Sequence, residues 1–445
     1  MMENQIFIGP KNKYFNLLLQ HYQKILFFLL VTVLAVVQVG NKFVLKGAET
    51  YYHLAEHFTW QGLLNNPLLL INISQYLPEK FLFLIPSLLA ILSLIIVLNL
   101  TKKTLSERFT FLLLLITILS PAFVWTFATL SSYSFFIFLT LLTLFLLSKA
   151  KLKYLATIPL LLAAMFDLIS ILLLTVILGI LYFKHNKKYP YHITLAGTAL
   201  LLAKYFLLDT PIIYDFLLPQ QTLTDLITDF GGVSGISFFV IILAFIGFAT
   251  TWKKKNFMNS YIFLPIVIIA FILNTQTIIY LNITLTFFAT VGLIQLFDKR
   301  WNLITLKKFT LLLVILGILF STLVFINRIP SYSPTEEALL TFQWVQENTP
   351  ETAIFFSLPQ ESSSVKHFAQ RNTIPANRQL HHQIIYSAYV SDLFPLLEQH
   401  NINHLYISPE LRKILGEKHG LLFLLKNERF KLLFSHQQTE VWAFD

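Results

Sequence analysis

The feature that most constrains this chain is its division into apolar blocks, each near the length needed to cross a hydrocarbon core of about 30 Å at 1.5 Å per helical residue. Such blocks stand at residues 25–39, 81–100, 109–127, 134–147, 194–208, 236–250, 257–273, 278–297 and 309–326. A further apolar stretch, 154–183, is too long for one span and short for two, and Asp167 interrupts it. Lysines flank it at both ends, so its ends fall on one side, as in a hairpin of two short helices. Composition agrees with the blocks. The chain is 56% hydrophobic and only 13% charged, with a mean hydropathy of +0.66, whereas about a quarter of a soluble domain is charged. These patterns predict a polytopic α-helical membrane protein of about eleven helices.

The net charge of +10 does not point to nucleic acid. Residues 327–445 hold 10 Lys and Arg against 12 Asp and Glu, and residues 1–326 hold 23 against 11. The positive excess therefore sits in short loops between apolar blocks, which is a topology signal rather than a phosphate-binding face. The N-terminal lead and the loops near 102, 151, 186, 254 and 303 carry 19 Lys and Arg, and the alternate loops carry only Lys42, Lys46 and Lys80. Basic loops stay in the cytoplasm, so the N-terminus is expected inside and the C-terminal part outside. The first block follows a polar and basic lead without a clear small-residue cleavage site, which reads as an uncleaved anchor. The chain has no Cys, which removes disulfides, thiol catalysis and Cys-ligated zinc.

Two domains are expected, a transmembrane one over residues 1–328 and a small extracytoplasmic α/β domain over 329–445. The second opens with a helix: Ser333 as N-cap, Pro334 as first helical residue, Glu336 completing a capping box, and Ala338, Phe342 and Val345 as the buried stripe. A strand at 353–358, a polar loop at 359–366, a helix near 391–400, a strand at 404–408, a helix from Pro409 and two final strands at 431–436 and 440–444 follow. Alternating strands and helices predict a sandwich with a partly parallel sheet.

Candidate chemistry concentrates on the outer loops, 40–80 and 209–235. In Gly47-Ala48-Glu49-Thr50-Tyr51-Tyr52-His53-Leu54-Ala55-Glu56, a carboxylate stands between the first span and an aromatic interfacial helix. Partial desolvation raises such a carboxyl toward the range of a general base, so Glu49 could take a proton from an acceptor hydroxyl. An acidic residue at a helix N-terminus is also an ordinary cap, and that reading of Glu49 stays open. Tyr52, His53 and Glu56 on the same helix, Lys204 near the outer end of its span, and Asp209 at the head of the second loop are the candidate substrate-binding residues. A cation inside an apolar block has a partner, a task, or a path by which it snorkels to the interface. His53 and His57 lie one turn apart, a spacing compatible with metal binding on a helix, though aromatic interfacial packing is the favoured reading. Asp225 and Asp229 share a helical face that could complete an acceptor site or simply be solvated, and the adjacent His381 and His382 read as surface residues pointing apart.

The first outer loop resembles that of the GT-C glycosyltransferases, and most nearly the archaeal and bacterial oligosaccharyltransferase catalytic subunits, through Gly47-Ala48-Glu49-Thr50-Tyr51-Tyr52-His53-Leu54 and the later Asn66-Pro67-Leu68. Ser120-Pro121-Ala122-Phe123-Val124 before the fourth span, and Trp344 with Asn348-Thr349-Pro350 at the start of the external domain, are similar to that family as well. The resemblance implies that Glu49 holds the position of the family's active-site acidic residue. It also implies a polyprenyl-phosphate sugar donor, a surrounding of membrane lipid, and a glycan, lipid or protein acceptor. The chain departs from the pattern in three places. Thr129-Leu130-Ser131-Ser132-Tyr133 stands where the family has an acidic metal-binding pair, Ser357-Leu358-Pro359-Gln360-Glu361 stands in place of Trp-Trp-Asp-Tyr-Gly, and Ala55 replaces an Arg. These departures argue against protein N-glycosylation and leave a divalent metal with half its ligands, so no cofactor is expected. Three readings follow: a metal-independent transferase to a hydroxyl acceptor, a catalytically degenerate scaffold that binds a partner, and a transporter or flippase that would use Asp167 and Lys204.

Overall fold

The computed structural model describes residues 21–39, 84–101, 105–128, 132–149, 152–164, 227–230, 235–252, 258–273, 277–329, 334–374, 378–415 and 420–444. They fall into two compact units, one ending at Pro330 and the other beginning at Ser331.

The first unit is helical: α1 (Tyr22–Val39), α2 (Leu84–Thr101), α3 (Glu107–Ile118), α4 (Pro121–Ala128), α5 (Ser132–Ser148), α6 (Thr157–Ala164), α7 (Phe238–Thr251), α8 (Met258–Leu273), α9 (Ile278–Asp298) and α10 (Ile304–Arg328). Among the described residues, α2, α9 and α10 are each long and apolar enough to cross a membrane. On α10 the buried residues Val314, Ile318, Ser321, Thr322 and Phe325 form one stripe. Phe309, Leu312, Leu316, Phe320 and Leu323 on the same helix are each more than half exposed. A helix apolar all round with only one stripe packed suits a lipid solvent. The central element is α9, buried along most of its length, including Asn282, Thr286 and Thr290.

Helix α9 meets α7 backbone to backbone. A Cβ on Gly247 would lie 1.9 Å from the Phe288 carbonyl oxygen, and one on Gly292 would lie 2.1 Å from that of Leu243. Glycine at both positions is what permits this approach, because lipid offers no hydrophobic drive and close van der Waals contact must supply the attraction.

The apolar block at 109–127, expected as one span, is two helices bent by 66°. Pro121 explains the break: it has no N–H to continue α3 and is favourable at the start of α4. The polar groups at the break find partners elsewhere in the unit. Ala122 N–H donates to the Gly235 carbonyl at 3.0 Å, the Thr322 hydroxyl donates to the Leu119 carbonyl, and Ser120 Oγ donates to Asn282 Oδ1 at 2.7 Å. Such partners are required wherever a helix is interrupted at membrane depth. Of the expected hairpin at 154–183, only the short 3₁₀ turn Lys153–Ala156 and α6 lie within the described residues; the block at 194–208 lies outside them.

The second unit contains α11 (Glu336–Asn348), β1 (Ile354–Phe356), α12 (Pro359–Ser364), β2 (Asn372–Thr373), α13 (Arg378–Ile385), α14 (Val390–Gln399), β3 (His404–Ile407), α15 (Pro409–Leu415), α16 (Leu421–Leu424), β4 (Phe430–His436) and β5 (Thr439–Phe444). Helix α11 starts two residues later than its sequence suggests. Thr335, not Ser333, is the N-cap, and its hydroxyl accepts the Ala338 N–H at 3.2 Å. The expected stripe Ala338, Phe342 and Val345 is buried. At the other end the buried Arg371 donates to the Gln346 and Thr349 carbonyls at 2.7 and 2.6 Å and to Thr349 Oγ1 at 3.1 Å. A cation there both satisfies orphan carbonyls and complements the helix dipole. The polar segment 359–366, expected as a loop, instead forms α12 and a π turn, Val365–Ala369. Pro359 supplies a favourable first helical residue, and Val365 and Ala369 are buried.

The sheet order is β2-β1-β3-β5-β4. β1 pairs in parallel with both β2 and β3, while β5 is antiparallel to β3 and β4. Side chains alternate between the two faces of each strand. Phe355, Tyr406 and Val441 therefore pack with α11 and the π turn on one face, and Phe356, Leu405 and Ile407 pack with α13 to α16 on the other. The expected α/β sandwich with a partly parallel sheet is present.

Candidate functional site

The candidate catalytic Glu49 and the candidate binding residues Tyr52, His53, Glu56, Lys204 and Asp209 lie outside the described residues, as do His57, Asp167 and Asp225. Of the pair Asp225 and Asp229, only Asp229 is described. Its carboxylate accepts the N–H of Phe238 at 2.7 Å, at the start of α7, where the helix dipole favours an anion.

Within the second unit, polar chemistry gathers beyond the carboxyl ends of β1 and β3. From β1 the chain passes to β2 on one side, and β3 lies on the other. Parallel α/β sheets open a crevice at such a divergence. The residues that follow the two strands are Ser357 and Ser408, both buried. Ser357 Oγ lies 3.2 Å from Ser362 Oγ, and Ser408 Oγ caps α15 by accepting the Leu411 N–H at 3.2 Å.

Glu361, projecting from the short α12, is the unusual member. Burial pushes its carboxyl up from 4.5 to about 7, and the neighbouring Glu410 adds to the rise. Hydrogen bonds to Ser408 and the Leu358 backbone oppose it without cancelling it. Its Oε2 atom is buried with no hydrogen-bond partner among the described residues. Tyr406, on the same face of the sheet, is also pushed upward, first by burial and then by Glu361, Glu410 and Glu337. A carboxyl balanced near neutrality can donate a hydrogen bond or accept a proton, which an ordinary ionised glutamate cannot do equally well. Glu361 is the last residue of the segment Ser357-Leu358-Pro359-Gln360-Glu361 singled out in the sequence. Its burial was not legible from a polar stretch, Pro359 to Ser364, that contains three serines.

The paired histidines divide as adjacent residues on α13 should, but only His382 is exposed. His381 is buried, 3% accessible, with its ring 5.4 Å from that of Phe356. The expectation of two surface residues is corrected for His381, which sits on the helix face that covers the sheet. Among the described residues, no three His, Asp or Glu side chains come together as a metal site.

No protein-family model matches the chain, and no curated protein matches it. Solved structures do. The oligosaccharyltransferase of Archaeoglobus fulgidus, tethered to an acceptor peptide containing an NVT sequon, aligns with a TM-score of 0.59 at 12% identity over 96% of this chain and 74% of that one. The archaeal oligosaccharyltransferase AglB from Archaeoglobus fulgidus, in complex with an inhibitory peptide and a dolichol-phosphate, gives 0.57 at 12% identity over 94% and 74%. ArnT from Cupriavidus metallidurans, bound to undecaprenyl phosphate, gives 0.53 at 11% identity over 94% of this chain and 97% of that one. The chain shares the fold of these two archaeal oligosaccharyltransferase structures and of ArnT.

Proposed function

We propose that the protein is a multi-pass membrane glycosyltransferase that moves a sugar from a polyprenyl-phosphate carrier to an acceptor hydroxyl on the extracytoplasmic face. The observation that carries this reading is the shared fold along 94% of the chain with two proteins whose structures hold dolichol-phosphate and undecaprenyl phosphate. The charge asymmetry of the loops supports a cytoplasmic N-terminus and an extracytoplasmic domain from about residue 329.

In this reading the acceptor oxygen attacks the anomeric carbon of the sugar. Its proton passes to Glu49, the bond from that carbon to the phosphate oxygen breaks, and the electron pair leaves with the carrier phosphate. The configuration inverts. Lys204 offers a cation to the phosphate, and Tyr52, His53, Glu56 and Asp209 serve donor and acceptor. The segment Thr129-Leu130-Ser131-Ser132-Tyr133 provides no acidic pair, which supports a metal-independent transfer.

The test is transfer of labelled sugar from a polyprenyl-phosphate donor by the full-length protein in proteoliposomes. Glu49→Gln lowers the rate by at least about 10²-fold, as expected for loss of a general base, and a chelator leaves it unchanged. Undiminished transfer by Glu49→Gln removes Glu49 from the role, and abolition by the chelator removes metal independence. The replacement of Trp-Trp-Asp-Tyr-Gly by Ser357-Leu358-Pro359-Gln360-Glu361 also favours a second reading, a non-catalytic relative acting as a scaffold. Failure to transfer from any polyprenyl-phosphate sugar, with the protein folded, selects it.

A further inference from the structure

We infer that the groove between the start of α1 and the end of α2 binds one anionic glycerophospholipid, its phosphate at Lys24 and its acyl chains along the two helices. The groove is a cavity of about 350 Å³. Its lining changes character with depth. At the rim stand Gln23 and Lys24 from the first turn of α1 and Leu98 and Asn99 from the last turn of α2. About one helical turn further along the axis, some 5 Å, the lining is Phe27, Leu94 and Ile95. The two helices therefore run antiparallel here, with their polar ends on one side.

Lys24 and Phe27 share a face of α1 at i and i+3, as do Ile95 and Asn99 of α2 at i and i+4. One side of each helix thus presents a polar group above an apolar one. Phe27 and Ile95 are 45% and 44% exposed, an apolar wall that an acyl chain would cover. Lys24 is exposed and forms no ion pair among the described residues. Asn99 spends one amide N–H on the Ile95 carbonyl at 3.0 Å, and Gln23 donates to the Tyr22 hydroxyl at 3.3 Å. Each of these amides has a second N–H to offer.

Charge chooses the occupant. Lys102 and Lys103 follow α2 directly in sequence, and Lys11 and Lys13 precede α1. A cation beside amide donors at a membrane interface, with apolar walls below, matches a phosphodiester headgroup carrying net negative charge better than a zwitterionic one. The site lies at the basic ends of the two helices, the side opposite the proposed sugar-transfer chemistry.

The experiment uses the full-length protein with a photoreactive benzophenone amino acid replacing Ile95, in nanodiscs of equal parts phosphatidylglycerol and phosphatidylcholine. Phosphatidylglycerol adducts exceed phosphatidylcholine adducts. Lys24→Gln lowers the phosphatidylglycerol adduct about fivefold, the equivalent of about 1 kcal/mol for one cation at an anionic surface. Lys24→Arg retains the adduct, and Lys153→Gln, at a half-buried basic position outside the groove lining, leaves it unchanged. Labelling of the two lipids in equal yield overturns the proposal, as does an adduct indifferent to Lys24→Gln. Displacement of phosphatidylglycerol by polyprenyl phosphate at equal mole fraction overturns the assignment to a glycerophospholipid.

Discussion

Glu361 gives the clearest quantitative test of the second unit. Its carboxyl rises from 4.5 to about 7 on folding, chiefly through burial. The folded state thus favours the neutral acid. Because the folded value is the higher one, the stabilisation is complete below about pH 4.5, declines as pH rises toward 7, and is gone above it. At about 1.4 kcal/mol per decade the whole loss is about 3 kcal/mol. Glu361→Gln keeps the shape and an acceptor for Ser408 but cannot ionise. The difference in stability between variant and wild type should therefore grow with pH, from within about 1 kcal/mol near pH 5 to about 3 kcal/mol in favour of the variant near pH 8. Pulse proteolysis of the full-length protein in urea, following the fragment beyond residue 334 at each pH, reads this difference. Taking the difference cancels the titration of the other groups. A difference that is flat from pH 5 to 8, or that shrinks, refutes the placement of a buried carboxyl at the ends of β1 and β3.

Two further substitutions test the packing of each unit. Gly247→Leu places side-chain atoms against the Phe288 carbonyl, where even a Cβ would approach to 1.9 Å. α7 and α9 must separate, and the variant should lose its monodisperse peak in detergent or melt well below wild type, whereas a wild-type melt contradicts the backbone contact. Arg371→Lys cannot reproduce a planar fork that reaches two carbonyls and a hydroxyl at the end of α11. It should cost about 2–3 kcal/mol in the same proteolysis assay, and a cost below about 0.5 kcal/mol would show the buried cation to be dispensable.

Much of the local structure was readable because it depends on neighbours along the chain. The spacing of Ala338, Phe342 and Val345 marks a helix with one buried face, and that stripe is buried. The strand expected at 404–408 is present as β3, and Leu405 and Ile407 lie in the core. The misreadings have a common cause. Pro121 could be read as a residue inside a span or as the start of a new helix, and what decides between them is the supply of partners from Gly235, Asn282 and Thr322. Those partners lie more than a hundred residues away. The segment beginning at Pro359 looked like a loop because its serines and glutamate are polar, yet Ser357, Ser362 and Ser408 give that polarity buried partners. His381 differs from His382 only in which side of α13 faces Phe356.

The sequence alone determined the apolar helical character of the first three quarters of the chain and the α/β nature of the remainder. Block length, charge fraction and side-chain period are local quantities that folding does not alter. It also singled out Glu49, Tyr52, His53, Glu56, Lys204 and Asp209, whose roles remain proposals. Tertiary structure alone decided that Gly247 and Gly292 join two backbones, that a helix breaks before Pro121, and that Lys24 and Asn99 line one groove. It also decided that Glu361 is held near neutrality. Each of these depends on atoms brought together from distant parts of the chain, and desolvation and contact act on that proximity rather than on sequence order.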